Sequence, residues 1–389
     1  MPRWSNWSGK QQSKIQAQHF VRSEDDAAGL VVACAQQRLR VRTAGAGHSH
    51  SQVALPDQVA VDLSGLSGVI STDVEQRTAW VWAGSPIYSL GRPLWEAGLA
   101  LHNQGDIDRQ AIAGATATGT HGTGATLGNL SSRVLAAELI TAKGQRLTVT
   151  ESSEPALFQA LRTHLGSLGI VTRLQLQLRE AYKLHQRSWS QGLDTLLPEI
   201  DSHIAENRHF EFFWYPQTDQ AHAKIINETE ADCVYPLDDD KRLAWSYEVL
   251  PSHRPVRHTE MEYSIPAEHG IDCLREIQQL LKTRFSDIAW PVEYRTVAAD
   301  DVWLSAAFKR PTVTISVHQD ISADDEPYFR ACEAVFSRWG GRPHWGKVNY
   351  LSGSELAAIH PQWSHWWQAR DAADPEGIFL NDYMRSLQP

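Results

Sequence analysis

The chain has 389 residues, 42% hydrophobic and 21% charged, the composition of a soluble globular protein with two domains' worth of length. Its 36 Lys+Arg against 46 Asp+Glu give a net charge of −10, which leaves no basic stripe for a nucleic acid. No apolar run is long enough to span a membrane, and Cys34, Cys233, Cys273 and Cys332 lack disulfide-framework or zinc-ligand spacing. With no apolar leader after Met1, a cytoplasmic protein without a metal site is expected.

Ser23-Glu-Asp-Asp predicts a capped helix running to about Gln37. A strand from Leu39 to Thr43 then feeds Ala44-Gly45-Ala46-Gly47-His48-Ser49-His50. Clustered N–H groups in such a turn suit a pyrophosphate, and they also suit a plain turn. The dinucleotide fingerprint is absent, because a third glycine and a following helix are missing. Val59–Leu63 and Thr78–Val81 read as strands, and Leu90–Ala97 as a short helix ended by Gly98. The stretch from Ala113 to Gly124 is too glycine-rich for a stable helix, so a second loop is predicted. Two such loops can grip one extended cofactor. Leu135–Thr141 and Gln145–Thr150 flank Lys143-Gly144 as a hairpin. Ser153-Glu-Pro opens a helix that Gly166 ends, and Ile170–Leu178 alternates as a half-buried strand.

Beyond about residue 180 the pattern changes. Strand-like runs at Phe210–Tyr215, Thr259–Ile265, Val292–Thr296 and Thr312–Val317 alternate with helical ones at Ile271–Leu281 and Tyr328–Trp339. That predicts an α+β arrangement with helices on one face of an antiparallel sheet. Glu355–Ala372 reads as one tryptophan-rich helix before a Pro375/Gly377 turn. Its Trp363, Trp366 and Trp367 follow helical spacing and are expected to be packing residues.

Several motifs carry a resemblance. Gly45-x-Gly-His-Ser, Gly105-Asp-Ile-Asp, and Ile112-Ala-Gly-x-x-x-x-Gly-Thr-His-Gly-Thr-Gly are similar to the FAD-binding half of the vanillyl-alcohol-oxidase superfamily. Val292-Glu-Tyr-Arg295, Arg342-Pro-His-Trp-Gly-Lys347 and Gly377-Ile-Phe-Leu-Asn-Asp-Tyr383 resemble the substrate half of its aldonolactone and alditol oxidases. The resemblance covers nearly the whole chain. It implies a two-domain α+β flavoprotein: a PCMH-type FAD-binding domain over residues 1–180, a substrate (cap) domain over 181–345, and a tail, 346–389, returning to the first. It implies FAD held by Ala44, Gly45, Ala46, Gly47, His48, Ser49, Gly105, Gly114, Thr118, Gly119, Gly122 and Ile170. His48 would carry the flavin covalently, with His50 the competing candidate.

Glu293 and Arg295 lie two apart on one strand and share a face. Such a pair is often a surface salt bridge, but within the resemblance it lines the substrate pocket with Lys347. Hydride transfer to the flavin leaves negative charge that Lys347 and Arg295 can stabilise. The group that takes the hydroxyl proton stays open. His318 and His344 are expected to contact substrate, although His318 reads equally as a core histidine. Trp345 falls inside the pocket motif. The resemblance also implies, from glycine at 105, O2 as acceptor and H2O2 as product, and, from Ala111 where some relatives carry a hydroxyl, a sugar lactone over an open-chain polyol.

Overall fold

In the computed structural model, which describes residues 1–252 and 254–389, elements form where local chemistry directs them. Three short strands, β1 (Ala17–Phe20), β2 (Val41–Thr43) and β3 (Val59–Asp62), make a parallel sheet in the order β1-β3-β2. Helix α1 (Glu24–Gln36) makes the crossover from β1 to β2. The Ser23 hydroxyl accepts from the Asp26 amide, and three acids occupy the first turn, where the helix dipole favours them. An antiparallel sheet of β4 (Val69–Asp73), β5 (Thr78–Trp82), β6 (Val134–Ile140), β7 (Arg146–Thr150) and β8 (Ile170–Gln177) follows, ordered β7-β6-β8-β5-β4. With α2 (Ile87–Glu96) and α4 (Pro155–Arg162), these elements surround one core that includes Leu90, Leu139, Leu161 and Leu174.

Three expectations change here. The second glycine loop contains a helix, α3 (Ile112–Ala117), with every residue but Gly114 buried; burial of its alanines outweighs the glycine's entropy cost. Helix α4 ends at Arg162 rather than at Gly166, and Arg162 bonds Asp301 Oδ1 at 2.8 Å. The predicted Glu355–Ala372 helix is two, α7 (Gly353–Ile359) and α8 (Trp363–Ala373). Pro361 has no N–H to continue the first.

The second half is one antiparallel sheet of eight strands: β9 (Lys183–Gly192), β10 (His209–Tyr215), β11 (Gln220–Thr229), β12 (Leu243–Trp245), β13 (His258–Pro266), β14 (Val292–Val297), β15 (Thr312–Asp320) and β16 (Arg342–Pro343). They run in the order β12-β9-β11-β10-β14-β15-β13-β16. Met261, Tyr263 and Ile265, Val292 and Tyr294, and Val313, Ile315 and Val317 turn to one face. There they pack against α5 (Gly270–Arg284) and α6 (Glu326–Arg338). Strand alternation sends His258, Glu260, Glu262, Glu293, Arg295 and His318 to the opposite face. These are buried too, because the first half of the chain closes over them. Gly124 N donates to Thr296 O at 2.9 Å, and His121 bonds Glu262 at 2.9 Å.

The tail from α8 to α9 (Asp382–Ser386) joins the first core through Trp363, Trp366, Trp367 and Phe379. Asp374 accepts from Arg370 and from the amides of Ile378 and Phe379, and Val41 N donates to Ile378 O at 2.8 Å. All four cysteines are free thiols. Among the described residues, no helix is long and apolar enough to cross a membrane.

Candidate active site

Strand β2 delivers the chain into the first glycine turn, which must bend sharply past the N-terminal segment. Gly47 takes φ +70°, and a Cβ there would press the Asn6 backbone at 3.3 Å. Its carbonyl accepts from Trp7 N at 2.8 Å. Gly45 lets the turn approach Ala111. Between the two glycine segments runs a cleft of about 250 Å³, lined by Gly45, Ala46, Gly47, His48 and Ser49 on one lip and by Gly114 and Thr118 on the other. Small side chains and backbone form these lips, the chemistry that suits a nucleotide cofactor. Gly114 is informative: a Cβ there would meet no protein atom within 4 Å, so its bareness leaves room for a guest.

Arg42 fastens this cleft. Buried, and lowered to about 10 by that burial, its guanidinium donates to the carbonyls of Gly166 at 2.9 Å and Phe379 at 3.0 Å, and to those of Val53 and Leu165. It ties the glycine turn, the 164–167 corner and the tail together.

Other expected cofactor residues lie elsewhere. Ala44 packs with Trp4 and Ile15, and Ile170 is wholly buried in the main core between the cleft residues Gly169 and Val171. Gly119 makes the φ +74° turn after α3. Gly122 is required by packing, since a Cβ would lie 2.3 Å from Gln104 O. Gly105 lines a second cavity instead, with its Cβ position 3.1 Å from His121 O.

That second cavity, about 70 Å³, adjoins the first, with Gln110 lining both. It collects Glu293, Arg295, Lys347, His318 and His344, together with residues sequence reasoning missed: Asp106, His121, Arg254, His258, Glu260 and Glu262. Arg295 Nη2 pairs with Glu293 Oε2, while Glu293 Oε1 is buried without a partner. Burial raises the Glu293 carboxyl to about 8, even though Arg295 opposes the shift. Burial also works against ionising Glu260, but Lys347 and the surrounding histidines outweigh it and hold the carboxyl well below the usual range. Lys347 pairs directly with Glu260. It is therefore a compensated charge.

Glu262 is likewise held low, His121 outweighing its burial. His121 faces acceptors at both ring nitrogens, Gly122 O at 2.8 Å and Glu262 Oε1 at 2.9 Å. Burial keeps His318 at about 4 and His344 at about 3, so both are neutral at pH 7. Segment 344–348 joins the halves: His344 N donates to Glu262 O, Val348 N donates to Glu260 O, and Gly346 O accepts from His50 N at 2.7 Å.

His48 lies on the cleft lip with its ring stacked on Trp7 at 5.3 Å. Burial, then Lys347, lowers it to about 4. Trp345, expected at the pocket, is 1% exposed in the first core and donates to Leu304 O at 2.7 Å. The signal for the missed acids was in the sequence: His258-x-Glu260-x-Glu262 places polar groups at strand period opposite Met261, Tyr263 and Ile265.

Against known proteins, the D-arabinono-1,4-lactone oxidase family model matches residues 174–242 and 232–387, and an FAD binding domain model matches residues 15–150. The chain belongs to the D-arabinono-1,4-lactone oxidase family. It is 34% identical to an L-gulono-1,4-lactone dehydrogenase of Mycobacterium tuberculosis over 99% of both chains. It is 28% identical to an alditol oxidase of a Streptomyces species over 98% of both. The cholesterol oxidase of Brevibacterium sterolicum shares its fold, with a TM-score of 0.88 at 15% identity, covering 100% of this chain and 96% of that one. As a member of this family the protein is an FAD-dependent oxidoreductase acting on CH–OH groups. Its glycine cleft lies within or beside the FAD-binding match, and its charged strands fall within the lactone-oxidase match.

Proposed function

We propose that the protein oxidises a ring carbinol of an aldono-1,4-lactone of the L-gulono or D-arabinono type, with O2 as terminal acceptor and H2O2 as product. The observation that carries this reading is the buried Glu293–Arg295 pair, set with Lys347–Glu260 in a pocket adjoining the cleft. FAD, when bound, supplies the hydride acceptor. Arg295 pins one oxygen of Glu293 and leaves Oε1 free to take the hydroxyl proton. The substrate C–H bond breaks with its electron pair leaving as hydride, the O–H bond leaves its proton on Glu293, and the carbonyl forms. Arg295 and Lys347 supply positive charge beside the substrate oxygen as it turns negative. His318 and His344, neutral and facing the pocket, bind sugar hydroxyls. Gly105 lies on the pocket wall, at the proposed entry for O2.

In this reading residues 1–180 hold FAD, 181–345 cap the substrate and 346–389 brace the first domain. Neutral His48 forms a covalent flavin link. Four free thiols support a reducing, cytoplasmic address. Two relatives favour second readings on particular points: the alditol oxidase a polyol substrate, and the lactone dehydrogenase an acceptor other than O2.

The deciding experiment compares L-gulono-1,4-lactone with xylitol on flavin-replete protein, following O2 uptake, peroxide and dye reduction separately. Lactone turnover with peroxide supports the proposal. Dye reduction without O2 uptake overturns the acceptor, and preference for xylitol overturns the substrate. Flavin that stays with His48→Ala through acid precipitation would sink the covalent assignment.

A further inference from the structure

Glu260 is the hub of an arrangement that hydride transfer uses only in part, through Lys347 and His318. His50 Nε2 and His258 Nε2 lie 3.8 and 3.7 Å from its Oε2, and His318 Nε2 lies 3.7 Å from its Oε1. These separations are too long for hydrogen bonds. They exceed by only a few tenths of an ångström the spacing of about 3.4 Å between two ligands on a tetrahedral Zn²⁺.

The histidine tautomers agree. His258 Nδ1 is 3.0 Å from Val256 O, and His318 Nδ1 is 2.8 Å from Pro291 O. A carbonyl can only accept, so Nδ1 carries a proton in both rings and Nε2 is the atom turned toward Glu260, as a lone pair in His318, which burial keeps neutral. A backbone carbonyl on the remote nitrogen is also what orients metal-bound histidines. Lone pairs aimed at a carboxylate repel it unless a cation lies between. Lys347 answers one side, but Glu260 Oε1 and His50 Nδ1 are buried without partners. Glu260, His50 and His258 are 4%, 5% and 8% exposed. Burial pushes His50 well below the ordinary imidazole value.

We infer that His50, His258 and Glu260, whose ligand atoms lie within 4.8 Å of one another, bind a zinc-like divalent cation, and that the bound ion inhibits the enzyme. No sequence spacing announces the site, because its ligands come from the first glycine turn and from β13, brought together only by the fold. Binding forms bonds from the two Nε2 atoms and a Glu260 oxygen to the ion. It breaks the Lys347–Glu260 pair and leaves Lys347 protonated. No electron moves. The ion thereby removes from Lys347 the anion that positions it, which is the route to inhibition.

The test is calorimetric titration of chelator-treated holoenzyme with ZnSO4, beside the optical spectrum of the Co²⁺ form. One ion per chain is expected. His50→Ala and His258→Ala, checked for folding by their flavin spectra, should each weaken binding at least about 10-fold. Lys347→Met removes the competing cation and should tighten it by about 10-fold. A dissociation constant weaker than about 1 mM overturns the site. So does wild-type affinity in a folded histidine variant, or unchanged or weakened affinity in Lys347→Met. The readout is the metal itself, so failure here leaves the substrate reading untouched.

Discussion

The glycine-lined cleft presents backbone and many small side chains, with Arg42, Asp62 and Arg109 its charged lining residues. The adjoining pocket presents four carboxylates, three Lys or Arg cations and four histidines, in a cavity of less than a third the volume. A large cofactor is held mainly by shape, which small residues and turns provide. A small carbinol must be activated, which requires titratable groups out of water's reach. The two cavities should therefore fail in different ways when changed. Damage to the cleft should cost cofactor and fold, and damage to the pocket should cost rate alone.

The largest effect is expected at Arg42, the buried charge that organises the cleft. Arg42→Met deprives three buried carbonyls and one part-buried one of this donor, a loss of at least about 3 kcal/mol. Thermal unfolding should show it, and purified protein should carry little FAD. A variant with wild-type stability and full FAD would mean that the cleft does not depend on this hub.

Glu293→Gln should show the opposite signature: full FAD, an intact fold and kcat lower by about 10²–10⁴-fold. The ionised carboxylate takes the proton, so wild-type rate should rise with pH through about 8. The glutamine variant should lack that limb. The same shift has a stability sign. Glu293 stays protonated in the fold but ionises near 4.5 when unfolded, so its contribution is full below 4.5 and is lost as pH rises toward 8. Lys347→Met should slow flavin reduction less, by about 10²–10³-fold, because Glu260 already offsets part of that charge. Unchanged reduction, measured by anaerobic stopped flow, would end its electrostatic role.

What could be read from the sequence follows the same division. The glycine turn 45–49 and the Glu293–Arg295 and Lys347 motifs are local, so consecutive residues revealed them. Glu260, Glu262 and His121 matter through pairings across 87 and 141 positions of chain, Lys347 with Glu260 and His121 with Glu262, and only the fold makes those. Strand β9 escaped notice because its ten-residue run alternates weakly and is rich in polar groups, and β11 because the first apolar positions of its alternation are alanines, which carry little strand preference. Ala44, Gly119, Gly122 and Ile170 belong to glycine or apolar stretches that look alike in sequence, and each also has a structural role: core packing for Ala44 and Ile170, a left-handed turn for Gly119, and close approach to Gln104 O for Gly122.

Gly114 separates these two explanations for a glycine most sharply. At Gly84 and Gly122 an added Cβ would strike a carbonyl oxygen at 1.9 and 2.3 Å, so alanine at either must distort the fold. At Gly114 it meets nothing within 4 Å, and the residue sits inside α3, where alanine is favoured over glycine by about 0.5–1 kcal/mol. Protein stability alone would therefore select alanine there. Gly114→Ala should raise the melting temperature of flavin-free protein slightly while weakening FAD binding several-fold, two changes of opposite sign from one methyl group. If FAD affinity is unchanged, the methyl faces solvent and the cleft's second lip lies elsewhere. If both fall, the glycine serves packing, and the shape account of the cleft fails at this position.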